Sequence, residues 1–365
     1  MKLKKAVMAA TATTVTGIAL VGSGVAGASS PQRASRQRAH GGSPLSALYH
    51  KAMAAKQTSV VIYGPTAGTD TALYNAFKQE FPGITVTGVP VVGPPMSAKL
   101  AAEFSSGKHV ADLAYTGSTN MLQYAQTHWL VPFTPATAPA ASRLPAGDVG
   151  PGNTFYGTSI TPFVTIYNTS AVTAAQVPKT WQALLAPRWK NKMGIVDPTA
   201  IGEMDDVFAH LAKAPGMANY MAKLHAQQVE LFPASEVTGA LTAVAQGAKA
   251  IGIEEGYNFY EVAAKAGAPI AFSLLQKDNY TTTLYMGLLK GAPDPLAAQL
   301  YEDFLFTPTA QKVIAANGDY SPVPGSPAPK GLPSYAKLPK MPFIPLSASL
   351  QADLAAIAQA KKLWG

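Results

Sequence analysis

Cysteine is absent from all 365 residues. That removes disulfides, thiolate metal sites, a thiol nucleophile and the acylated cysteine of a lipoprotein. Charge is also sparse, at 13% of residues, and it is unevenly spread. Lys2, Lys4, Lys5, Arg33, Arg36 and Arg38 carry most of the formal +8; the other 22 basic residues face 20 acidic ones. The body of the chain therefore has no basic stripe for a phosphate backbone, and nucleic acid is not expected as a partner. The six histidines show neither H-x-x-x-H nor H-E-x-x-H spacing, so no zinc site is expected. No G-x-S-x-G elbow and no P-loop occurs.

What is present begins with a targeting pattern. Lys2-Leu3-Lys4-Lys5, the small and apolar run from Ala6 to Val25, and Ala26-Gly27-Ala28 have the three parts of a secretory signal peptide over 1–28. A membrane anchor is the alternative, but four Thr, three Gly and one Ser dilute the run. Gly22 to Gly27 matches G-x-G-x-x-G by chance, with no strand before it. Residues 29–44 are polar, punctuated by Gly and Pro and free of acids, and read as a disordered leader.

From Leu45 strand and helix patterns alternate. Val60 to Tyr63 is a β-branched run ending in Gly64-Pro65, and Leu73, Phe77 and Phe81 recur at helical spacing. Ile84 to Val92 reads as a strand, Ser97 to Phe104 as a helix and Ala111 to Tyr115 as a buried strand. This β-α-β-α-β order implies an α/β fold with a largely parallel sheet, whose ligands sit at the carboxyl ends of strands. A second block opens near Thr165, with strands at Met193–Val196, Ala250–Ile253 and Ile270–Leu275 and helices at 203–213, 237–245 and 257–266. Thr281 to Leu289 would return the chain to the first block. Leu296–Phe306, Thr309–Ala316 and Ser347–Leu363 read as helices, the last beyond a Pro-rich stretch.

Lys179 to Leu185, followed by Trp189 to Pro198, resembles a hallmark of the solute-binding proteins of ABC importers. The relevant branch handles ferric iron, thiamine, polyamines and phosphonate-like anions. Tyr156-Gly157 through Ile166-Tyr167-Asn168-Thr169, Gly247 to Ile253, and Ala298 to Gly318 resemble further stretches of the same family, so the likeness runs in order over about residues 58–325. It implies a two-lobed type II periplasmic-binding-protein fold, each lobe a mixed, mainly parallel sheet flanked by helices, with the ligand cleft between lobes. Lobe 1 would be 45–162 plus 280–365 and lobe 2 163–279. The resemblance further implies hinge closure over a small-molecule or ion ligand, an importer permease and ATPase as partners, no enzymatic activity and no cofactor. A monomer is expected, secreted into a periplasm or cell envelope and not a lipoprotein.

The candidate ligand-binding residues follow from strand ends and from the family. Thr66, Gly68 and Thr69 lie where backbone N–H groups at a helix start would suit an oxyanion, although Thr69 or Asp70 could simply cap that helix. Thr116, Gly117 and Ser118 form the equivalent loop after the third strand. Thr199, Ala200 and Gly202 are the lobe 2 counterpart, while Asp197 reads as a turn residue. Glu203 and Asp205 read as first-turn acids beside the helix dipole. In ferric relatives two adjacent tyrosines occur where Tyr257 and Asn258 stand here, so one tyrosine is replaced. Glu255, Tyr257, Asn258 and Tyr280 complete the set. An organic ligand fits these residues better than a hard ferric ion, which wants several anionic oxygens. A ferric carrier using Tyr257 and Tyr260 is kept as the alternative, and a secreted hydrolase or a non-transport envelope protein as readings of another class.

Overall fold

The computed structural model describes residues 42–365 apart from 69, 136–143, 203, 218, 342–343 and 345. The expected signal peptide, nearly all of the expected leader, Thr69 and Glu203 lie outside the described residues. Among the described residues, no helix is long and apolar enough to cross a membrane.

The described residues open with α1 (Pro44–Ala54), whose start is capped by the Ser43 hydroxyl accepting from Ser46 N. There follow β1 (Ser59–Gly64), α2 (Thr71–Glu80), β2 (Thr85–Pro90), α3 (Gly93–Ser106), β3 (Leu113–Thr116) and α4 (Ser118–Gln126). These strands are parallel, in the order β2-β1-β3, as the alternating pattern requires. Leu73 and Phe77 turn one face of α2 into the core, against Tyr301 and Phe304 of α10 (Pro295–Phe304). Several starts differ from the sequence reading, two of them with a clear local reason. α3 begins at Gly93 rather than Ser97, because Pro94 and Pro95 occupy a first turn in which N–H groups have no helical partner anyway. The expected loop at Thr116–Thr119 is already α4 from Ser118 onward.

The two halves of the molecule are joined by β4 (Tyr156–Asn168), buried along its whole length. Tyr156 to Pro162 pairs with β9 (Thr281–Leu288), which also runs antiparallel to β3. From Phe163 onward β4 pairs instead with β7 (Ile251–Gly256) and β8 (Ile270–Ser273). Pro162, which cannot donate to a ladder, stands where the partners change. β7 is parallel to β5 (Met193–Val196), and β5 to β6 (Glu230–Phe232). Around this second sheet lie α5 (Trp181–Leu184), α6 (Met204–Leu211), α7 (Tyr220–His225), α8 (Gly239–Ala245) and α9 (Tyr257–Lys265). Its core gathers Trp181, Trp189, Phe208 and Leu224.

After β9 and α10 come α11 (Pro308–Ala316), a Pro-rich strap and α12 (Leu346–Trp364). Gly318 ends α11 in the left-handed region, at φ 99°. A Cβ there would stand 2.9 Å from the Asn258 Cα, so only glycine lets the end of α11 meet the start of α9. The C-terminal helix α12 packs on α6, α7 and α4, and so touches both halves.

Candidate functional site

A cavity of about 100 Å³ opens where the ends of β1 and β3 and the crossing strands meet the starts of α3, α4, α6 and α9. Of the residues picked out by sequence, Thr66, Thr116, Gly117, Ser118, Gly202 and Asn258 line it. They come from four separate stretches of chain. The fold therefore brings both halves to one wall-to-wall space at the strand ends, as a doubly wound α/β sheet would.

The floor is polar and mostly uncharged. Thr161 and Thr282 are register partners on β4 and β9, and both line the cavity. The Asn120 amide donates to the Thr116 hydroxyl at 3.3 Å. The α4 first turn has no side-chain cap: Gly117 precedes it, and a Cβ there would meet nothing within 4 Å. This helix start thus presents main-chain N–H groups and its positive dipole end to open space. Asn258 binds its neighbour Phe259 N through Oδ1 at 2.8 Å and reaches Asp319 Oδ2 with Nδ2 at 3.5 Å. Burial pushes the Asp319 carboxyl up to about 7, so near neutral pH it holds a proton part of the time. Thr66 donates to Asp70 Oδ2 at 2.9 Å, and burial lifts Asp70 to about 6 against that bond.

Among the described residues, no Lys or Arg lines the cavity, and the one acid that does is Asp206 on α6. His210 Nδ1 lies 2.9 Å from the Asp206 carboxylate, and the Tyr280 hydroxyl donates to the other oxygen. Burial opposes a charge on His210, but the bonds and charge of Asp206 outweigh it and raise the imidazole pKa. The acid is therefore partnered from two sides.

Other sequence-picked residues stand elsewhere. Gly68 packs against the Pro90 ring. Thr199 N donates to Asp197 Oδ1 at 2.8 Å, the local turn that the Asp-Pro pair suggests, and neither Thr199 nor Ala200 lines the cavity. Glu255 is buried within β7. Tyr257 turns its hydroxyl away, to within 2.7 Å of the Lys330 carbonyl and 2.8 Å of Glu261 Oε1, because the Pro-rich strap crosses that side of α9. Tyr260 packs on Tyr257 and Phe272. Tyr280 faces a neighbouring cavity. Among the described residues, no group of three His, Cys, Asp or Glu could hold a metal ion.

Asn120, Thr161, Thr282 and the apolar wall of Val92, Pro94, Pro95 and Phe259 are additions from the structure. Asn120 had a sequence signal, since it stands one turn beyond Gly117. Thr161 and Thr282 had none, because their pairing depends on the register of two distant strands.

Residues 108–344 match the family model described as bacterial extracellular solute-binding protein. The chain is 22% identical over 320 residues to iron uptake protein A2 of Synechocystis, covering 82% of this chain and 89% of that one. Iron-bound HitA from Pseudomonas aeruginosa superimposes with a TM-score of 0.69 at 20% identity, over 84% of this chain and 100% of that one. AfuA from Actinobacillus pleuropneumoniae, solved with fructose-6-phosphate, gives a TM-score of 0.68 at 18% identity, over 83% and 97% of the two chains.

Proposed function

The chain belongs to the bacterial extracellular solute-binding protein family, and from that premise we propose that the cavity between its halves holds a small polar organic solute through hydroxyl, amide and main-chain groups. Its fold is the two-lobed type II periplasmic-binding-protein fold, and its role is ligand capture for an ABC importer rather than catalysis. The permease and ATPase of that importer are its partners in transport, and closure of the lobes is what they would read as a loaded state.

The observation that carries the ligand reading is the lining: threonine, serine and asparagine around the uncapped start of α4, with, among the described residues, no basic side chain and one acid already partnered. Such a wall suits a solute bearing an oxyanion or several hydroxyls. Thr66, Thr116, Gly117, Ser118, Gly202 and Asn258 are proposed as ligand contacts, with Asn120, Thr161 and Thr282 beside them. We also infer lobe boundaries near 162 and 280, removal of residues 1–28 on secretion, and a monomer free in the periplasm or cell envelope.

A ferric ion is the second reading, favoured by the iron-binding relatives. Tyr257 and Tyr260 point away from the cavity, so that reading needs other oxygens or a chelating anion. Thermal unfolding of the mature protein against ferric citrate, phosphate, sugar phosphates, phosphonates, thiamine, polyamines, sugars and amino acids separates the two. A ligand at about a hundred times its dissociation constant adds roughly 2.7 kcal/mol. A shift with an iron-free organic solute supports the first reading, and a shift with ferric citrate alone replaces it by the second. No shift with any of them removes solute capture.

A further inference from the structure

A second cavity, of about 420 Å³, lies beside the first and shares Ser118, Asp206 and Thr282 with it. The alternation of β9 separates the two: Leu284 faces the first, while Thr281, Thr283 and Tyr285 face the second. The far wall is built from the strap residues Tyr335 and Lys340 and the start of α12.

Asp148 projects into this space with 8% of its surface exposed. Among the described residues, its one side-chain hydrogen bond comes from the Thr283 hydroxyl, at 3.2 Å. Among the described residues, no cationic side chain is within ion-pair distance of it. A buried carboxylate without a counter-charge is costly, and burial accordingly lifts Asp148 to about 6. The other charged groups here are committed. Asp206 is held by His210 and Tyr280. Lys340 donates to the Tyr335 and Leu338 carbonyls and sits 4.2 Å over the Tyr335 ring. Tyr280 and Tyr285 use their hydroxyls on Asp206 and the Gly147 carbonyl, which leaves their rings as wall.

We propose that this second cavity is a binding site for the ammonium group of a small organic cation, with Asp148 as its counter-charge and tyrosine rings as its walls. A lone carboxylate among aromatic faces is the chemistry that recognises such a group. Lys340, already seated on the Tyr335 face, shows the same wall holding an ammonium. The cation has two possible sources: a free amine, or the amine end of a solute whose other end occupies the first cavity.

Calorimetry at pH 6 tests this with choline and butylamine against the neutral 3,3-dimethylbutan-1-ol and butan-1-ol. At least one cation should bind tenfold or more tighter than its neutral partner and release a proton from Asp148. Asp148→Asn should abolish that preference, and Tyr335→Leu, which leaves Asp148 in place, should weaken it several-fold; circular dichroism checks that both variants fold. No cation preference in the wild type, or a preference unchanged in folded Asp148→Asn or, should that variant not fold, in Tyr335→Leu, overturns the site. Phosphocholine separates the sources: tighter binding than choline, lost in Asn258→Ala, identifies a solute spanning both cavities, and equal binding identifies a free cation. The proposal stands apart from the import reading, since failure of the first cavity to take any solute would leave the choline result unchanged.

Discussion

Glu254 sits on β7 with φ at 51°, a backbone conformation uncommon outside glycine. It stands where two residues of β7 oppose one of β4, and the bulge turns its carboxyl into the core. Burial pushes that carboxyl up to about 8, against one long bond of 3.4 Å from Tyr280 N. The folded state thus holds the proton more tightly than the unfolded chain does. The stability this confers is intact below the ordinary value of 4.5 and is lost as pH rises through about 8. Midpoints of thermal unfolding should therefore fall between pH 5 and pH 8. Glu254→Gln, neutral at every pH, should flatten the profile and be more stable than the wild type at pH 8 by roughly 1–3 kcal/mol. Equal slopes in the two proteins would show that Glu254 is solvated. At the same scale, Asn258→Ala should weaken the solute found by the panel about tenfold, the worth of one net hydrogen bond. Tyr257→Phe should leave affinity unchanged, because its hydroxyl serves the Lys330 carbonyl.

The uncapped start of α4 makes a prediction at the level of the element. Gly117 has φ −69° and ψ 169°, ordinary for any residue, and space for a side chain. Gly117→Asp should cap the helix and raise stability by about 1 kcal/mol. The same carboxylate would stand where an anionic solute approaches, so binding should be lost as the melting midpoint rises. An element left bare for packing reasons alone would show the gain without the loss. Helices and strands with strong periodicity were legible in the sequence: β5 has the bounds expected of it, and α2, α9 and α11 differ by a residue or two. α4 was not, since Ser118-Thr119-Asn120 reads as turn chemistry and its buried Met121 and Leu122 lie too close together to mark a face. The strand ends gave Thr66, Thr116 and Ser118. The cavity's other half depends on β4 and β9 meeting in register, a long-range fact that no local window holds. Tyr257 shows the reverse failure: position along the chain put it at a strand end, but a strap 73 residues later took its hydroxyl.

For the whole molecule, the question is what limits how far the lobes part. β4 runs through both, β9 pairs with its first half where the chain returns, and α12 is a further tie because it touches α4 on one side and α6 and α7 on the other. At that junction the Thr119 hydroxyl donates to Asp353 of α12, and Asp206 of α6 lies close enough to perturb it. Burial first, and the Asp206 charge second, raise the Asp353 pKa, so below that raised value the pair meets as one charge. The raised pKa means the tie is firm at low pH and weakens as pH rises and Asp353 ionises beside Asp206. Small-angle scattering of the ligand-free protein should then show a larger radius of gyration at pH 9 than at pH 6. Asp353→Leu, which cannot hold Thr119 and carries no charge, should remove this pH response and give the looser value throughout. Asp353 does not line the first cavity but its partner Thr119 does, so a loss of solute affinity in that variant, expected to be a few-fold, would report the freed Thr119 hydroxyl together with the cost of closing a looser hinge. A wild-type radius that ignores pH, together with unchanged affinity in Asp353→Leu, would show that the α12 junction does not restrain the hinge. Ligand-driven contraction would then be the same with or without the α12 junction.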